Sequence, residues 1–74
     1  MPKENQFDLQ NIMKVGNNIS FIRQKEKLTQ EDLAKKCGMP SAAISRIEAG
    51  KIDISILTLL KIAEALEVNP KDLL

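Results

Sequence analysis

The sequence predicts an all-α fold of five helices. Three observations carry the prediction. Ile12, Val15, Ile19 and Ile22 recur at three- and four-residue spacing, and residues 56–66 are apolar over most of a helical circumference. Helix-start residues stand at Thr29, Ser55 and Asn69, each ahead of a helix-sized run. Gly38 falls where a short helix would end.

Taken in order, residues 1–8 are expected to be a flexible lead to one domain over residues 9–74. Met1 to Gln6 is polar, contains a proline and offers little to bury, although Phe7 and Leu9 can dock on a core. The first helix is expected from about Leu9 to Lys25, with Phe21 beside its apolar stripe. Gly16, inside that helix, costs about 1 kcal/mol relative to alanine, which implies close approach to a neighbouring helix or to a DNA backbone.

The chain is organised around Leu28 to Gly50, LTQEDLAKKCGMPSAAISRIEAG, two short helices joined by a tight glycine turn. The Thr29 hydroxyl can accept from a free N–H of the first turn, and Asp32, three residues on, answers the positive end of the helix dipole. Leu33 and Ala34 supply apolar contact, and Ala34 permits close helix approach. In the second helix Ile44 and Ile47 form the buried edge, which turns Pro40, Ser41, Ala42, Ser45 and Arg46 outward. Pro40 is a poor cap, so this helix starts within a residue or two of it. After a loop from Gly50 to Ile54, Ser55 caps a fourth helix over Ile56–Leu66, apolar enough to be central to the core or covered by another chain. Asn69 caps a curtailed fifth helix, with Pro70 at the position where its missing N–H costs nothing.

Composition narrows the function. Seventy-four residues make one small domain, which buries only about 60% of its extended-chain surface, so a partner subunit matters for stability. With 3% aromatic residues the core is aliphatic. No stretch approaches the roughly 18 apolar residues of a membrane span, and the start lacks the apolar run of a signal peptide, so a cytoplasmic location is expected. One cysteine and no histidine leave no internal disulfide, no Cys/His metal site and no histidine base for a cysteine nucleophile. Cys37 reads as a small buried apolar residue. No acid–base pair or cofactor motif points to an enzyme, and so thin a core does not suit a small-molecule ligand.

The net charge is only +1, but it is unevenly spread. Residues 11–51 hold eight bases (Lys14, Arg23, Lys25, Lys27, Lys35, Lys36, Arg46, Lys51) against four acids (Glu26, Glu31, Asp32, Glu48), a balance of +4. The blocks before and after carry −1 and −2. A surface facing DNA is expected in the positive segment.

Gln30, Ala34, Gly38, Ile44 and Ile47, spaced four, four, six and three, together with the SRIEAGK run from Ser45 to Lys51, resemble the helix-turn-helix of phage-repressor-like regulators, the Xre/Cro group. The resemblance covers about Ile12 to the C-terminus. It implies a compact five-helix bundle of the lambda-repressor-like type that binds double-stranded DNA, with the second motif helix in the major groove. Ser41, Ala42, Ser45 and Arg46 match the base-reading positions. Arg46 suits a bidentate contact to guanine, Ala42 a thymine methyl, and the serines bases or phosphates. The alternatives are a phosphate contact or a solvated side chain for Arg46, and a plain helix-start residue for Ser41. Gln30 matches a phosphate-binding residue of the family. Thr29 with nearby N–H groups can add a helix-terminus anion site, and Asn17, Asn18, Lys51 and Ser55 are further backbone candidates.

Arg23 and Glu48 match a family pair that joins the first helix to the recognition helix through a partly buried salt bridge. Two independent surface charges are the alternative. Because one copy reads only about four base pairs, a homodimer on a palindromic operator is expected, with Leu57, Leu60, Val68, Leu73 and Leu74 at its interface. Leu60 fits the monomer core equally well. A stand-alone bacterial repressor and a restriction–modification controller both fit. An antitoxin or other protein-interaction module with secondary DNA binding is the alternative.

Overall fold

The computed structural model describes the backbone of residues 2–74 and the side chains of residues 10–74. Four α-helices follow in order: α1 (Pro2–Lys25), α2 (Gln30–Cys37), α3 (Ser41–Glu48) and α4 (Ile56–Leu66). A single 3-10 turn, Pro70–Leu73, comes last. There is no strand among the described residues, and none of their helices is long and apolar enough to cross a membrane.

Two elements differ from expectation. The fifth is not an α-helix. Asp72 N–H bonds the Asn69 carbonyl at 2.9 Å and Leu74 N–H bonds that of Lys71 at 3.2 Å, the three-residue bonding of a 3-10 turn. Four residues are too few for a sustained α-helical ladder. The first helix, in turn, starts at Pro2 rather than near Leu9. An apolar stripe marks the part of a helix that packs, whereas the backbone ladder needs only tolerant residues. Pro2 suits a first position, and Lys3, Glu4 and Gln6 are good helix formers. The lead expected over residues 1–8 is therefore helical in backbone from Pro2. Met1, and any docking of Phe7 and Leu9, lie outside the described residues.

Each element sends one side chain to the centre. Ile19 of α1, Leu33 of α2, Ile44 of α3, Ile62 of α4 and Leu73 of the last turn are all fully buried. Ala34, Cys37, Ile47, Leu59, Ala63 and Leu66 complete an aliphatic core. Phe21 points away from it and is 69% exposed, because α1 needs only the narrow stripe through Val15, Ile19 and Ile22 to meet the bundle. The end of the chain is fastened as well as packed: the Asn18 side-chain amide donates to the Leu73 carbonyl at 3.1 Å.

Gly16 sits where α1 crosses the end of α3. A Cβ added there would lie 2.2 Å from the Ile47 carbonyl oxygen and 3.0 Å from that of Glu48. The close approach is therefore to α3, not to DNA. Backbone cannot yield as a flexible side chain can, so absence of a side chain sets the distance between the two helices. Gly38 plays a different part. It holds φ 70° at the end of α2, and a Cβ there would meet open space.

The two glycines predict unequal costs. Gly16→Ala should destabilise by about 3 kcal/mol despite its better helix propensity, because the added carbon overlaps backbone. Gly38→Ala should cost only about 1 kcal/mol, the penalty of a left-handed alanine. Thermal melts by circular dichroism check the order, since about 1 kcal/mol moves Tm by roughly 4–8 °C in a domain this size.

Candidate nucleic-acid interface

The site is built on α2, the turn after it, and α3. At the start of α2 the Thr29 hydroxyl accepts the Asp32 N–H at 2.9 Å while the Asp32 carboxylate accepts the Thr29 N–H at 3.0 Å, a reciprocal cap. The Thr29 N–H, and then its hydroxyl, hold the Asp32 carboxyl below its ordinary 3.8. A lowered carboxyl stabilises the fold above the unfolded value and loses that contribution as pH falls through the folded one, so this cap weakens only in acid. The same geometry removes Thr29 N–H from any helix-terminus anion site, because Asp32 already occupies it. At the other end Gly38 turns the chain, and Met39 N–H bonds the Ala34 carbonyl at 2.9 Å.

α3 begins at Ser41. Pro40 takes the cap position at φ −65° and ψ 145°, the extended geometry a cap requires, without a side-chain bond. Its carbonyl still accepts from Ala43 N–H at 3.0 Å. Ile44 and Ile47 turn inward at 0% and 3% exposure, and Ser41, Ala42, Ser45 and Arg46 are exposed on the opposite side. Arg46 makes no hydrogen bond or ion pair among the described residues, so its guanidinium can fork onto a planar acceptor pair. Lys51, exposed just past α3, is tied to it where its N–H bonds the Arg46 carbonyl at 3.0 Å.

α3 is held from behind by an ion pair. Arg23 Nε donates to Glu48 Oε2 at 2.6 Å and Arg23 Nη2 to Glu48 Oε1 at 3.0 Å. Only 11% of the Arg23 side chain and 5% of the Glu48 side chain remain exposed. Arg23 Nη1 also donates to the Leu28 carbonyl at 2.6 Å, which fixes the turn leading into α2. Gln30 Nε2 donates to Glu48 Oε1 at 3.0 Å. Sequence reasoning missed this last contact, since nothing in a linear spacing of eighteen residues announces it.

The other backbone candidates divide. Asn17 is exposed on the outer side of α1. Asn18 has its amide on Leu73 and acts as a fastener. Ser55 caps α4: its hydroxyl accepts the Thr58 N–H at 3.1 Å and donates to Thr58 Oγ1 at 3.1 Å. Cys37 is buried, and burial pushes its thiol up, which keeps it protonated at neutral pH.

The expected interface leucines also divide. Leu57, Leu60 and Leu74 are 63%, 44% and 59% exposed. Leu73 is corrected to the core at 0% exposure, since the last turn closes the bundle with it. Val68 is half-buried and packs against the same core. Sequence reasoning overlooked Ile56, 74% exposed at the first turn of α4, and Ile52, 38% exposed in the loop before it. These two border an open groove of about 520 Å³, whose other walls include Ile12, Val15, Leu59 and Leu74.

Known proteins resemble this chain in sequence and fold. A helix-turn-helix family model matches residues 19–73. Control protein C.BamHI of Bacillus amyloliquefaciens is 42% identical over 60 residues, 80% of this chain and 74% of the relative. Antitoxin HipB of Escherichia coli O6:H1 is 32% identical over 69 residues, 85% and 73% respectively. Among solved structures, the restriction-modification controller protein C.AhdI from Aeromonas hydrophila superposes with a TM-score of 0.85 at 29% identity, covering 88% of this chain and 98% of its own.

Deleting one member of the ion pair leaves the other charge buried. Glu48→Ala should therefore cost about 3–5 kcal/mol, whereas the paired apolar exchange Arg23→Met with Glu48→Leu should cost far less. Urea titration separates the two. A Glu48→Ala variant within 1 kcal/mol of the parent would mean that the pair does not hold the helices together.

Proposed function

The chain belongs to the helix-turn-helix family of phage-repressor-like transcriptional regulators, and from that premise we propose that it binds a palindromic operator sequence-specifically as a homodimer. The observation that carries the reading is the outer face of α3. Ser41, Ala42, Ser45 and Arg46 stand exposed there, while Ile44 and Ile47 on the opposite edge anchor the helix. A helix so mounted fits the major groove, where every base pair presents a distinct pattern of donors, acceptors and methyl groups. Arg46 takes a guanine through two N–H groups, Ala42 meets a thymine methyl, and Ser41 and Ser45 bond bases or phosphates. Gln30, Asn17 and Lys51 supply backbone contacts that set orientation rather than sequence. Such work belongs in the cytoplasm, beside the DNA.

Dimerisation follows from the small footprint and from apolar surface the monomer leaves uncovered. Leu60 lies three and four residues from Leu57 and Ile56 at the start of α4, and Leu74 and Ile52 extend the patch. Two copies joined there would present their α3 helices to half-sites one helical turn apart, roughly 34 Å. The likeness to two controller proteins, C.BamHI and C.AhdI, favours a stand-alone regulator of that type. The likeness to antitoxin HipB supports the second reading, a protein whose apolar patch takes a different partner and whose DNA binding serves that complex.

Selection from a random DNA pool should return a palindrome with guanines at mirrored positions, and Arg46→Ala should abolish its specific binding in a gel shift without lowering Tm. Unaltered operator binding by Arg46→Ala would sink the readout. Sedimentation at micromolar concentration should give a dimer, and Leu57→Glu with Leu60→Glu should give a monomer. A parent protein that sediments as a monomer with and without operator would favour the second reading.

A further inference from the structure

Glu48 does more than pair with Arg23, for it is also the acceptor of the Gln30 amide at 3.0 Å. A carboxylate only accepts hydrogen bonds, so the Gln30 group facing it must be the NH2 and not the carbonyl. The orientation of the amide is thereby set. Its second Nε2–H and its Oε1 have no partner among the described residues, and Gln30, half-buried, is the first residue of α2. Arg23 meanwhile covers both Glu48 oxygens with Nε and Nη2. That neutralises a carboxylate which would otherwise repel a phosphate near Gln30.

We propose that Glu48 is a positioning residue for DNA binding: its neutralised carboxylate holds the Gln30 amide in one orientation, with the remaining N–H presented to a phosphate oxygen. Because Glu48 is the last residue of α3 and Gln30 the first of α2, the bond also sets the register between the backbone contact and the base-reading face. The inference rests on the DNA-binding reading above. It adds that the ion pair acts on affinity through Gln30, separately from its effect on stability.

The test is a double-mutant cycle read by fluorescence anisotropy on the selected operator, at fixed salt. In the parent, Gln30→Ala should weaken binding about tenfold, the loss of one hydrogen bond to a charged group. In the Arg23→Met, Glu48→Leu background the same change should alter affinity less than about twofold, because the amide is no longer positioned. A purely structural ion pair predicts equal losses in both backgrounds, and that result, or no loss in the parent, overturns the proposal. Gln30 is neutral, so Gln30→Ala should leave the slope of log affinity against log salt unchanged. Lys51→Ala should make that slope shallower by about 0.9, the counterion released at one phosphate.

If the apolar background does not fold, NMR of the DNA-free parent decides instead. The Gln30 side-chain amide should be as ordered as the backbone, and mobility equal to that of the exposed Gln10 amide overturns the proposal. Failure of the DNA-binding reading is distinct from either outcome: it would appear as a random pool yielding no preferred site.

Discussion

Four segments of this protein are held to one another by a guanidinium and a carboxylate. Arg23 reaches from α1 to the Leu28 carbonyl ahead of α2 and to both oxygens of Glu48 at the end of α3. Gln30 brings the start of α2 to the same carboxylate. Burying two charges is costly, and the pair holds its own only when geometry is good and the leftover donors and acceptors are satisfied. Here they are. No buried side-chain nitrogen or oxygen among the described residues lacks a partner.

The ion pair works together with a steric contact. Gly16 lets α1 lie directly on the carbonyls of Ile47 and Glu48, so the end of α3 is fixed by packing on one side and by charge on the other. With its C-terminal end fixed and Ile44 in the core, α3 has little freedom to tilt. Its exposed side chains are therefore carried on a rigid mount, the condition for reading base edges without first ordering the reader.

Apolar surface is divided in a similarly economical way. α4 sends Leu59, Ile62, Ala63 and Leu66 inward and leaves Ile56, Leu57 and Leu60 outside. A bundle this small cannot cover both faces of so apolar a helix, and the outer one stays open.

Local chemistry was readable from the residues alone. The Thr29–Asp32 cap, the left-handed turn at Gly38, the inward edge of Ile44 and Ile47 and the cap at Ser55 each depend on neighbours a few positions apart. Periodicity and capping act over that same distance, so a linear reading captures them, and with them the all-α class and the exposed face of α3. Packing over long separations was not readable from spacing, and the Arg23–Glu48 pair was expected only through the family resemblance. Leu73, expected at an interface beside Leu57, belongs to the core because the 3-10 turn folds back onto α1. Similarly, the Gln30–Glu48 bond exists only because α2 and α3 cross where they do. Sequence determined the all-α class, the caps and the inward edge of α3. Only the tertiary structure decided which side chains meet across eighteen or fifty-five residues, since that depends on where whole helices come to rest.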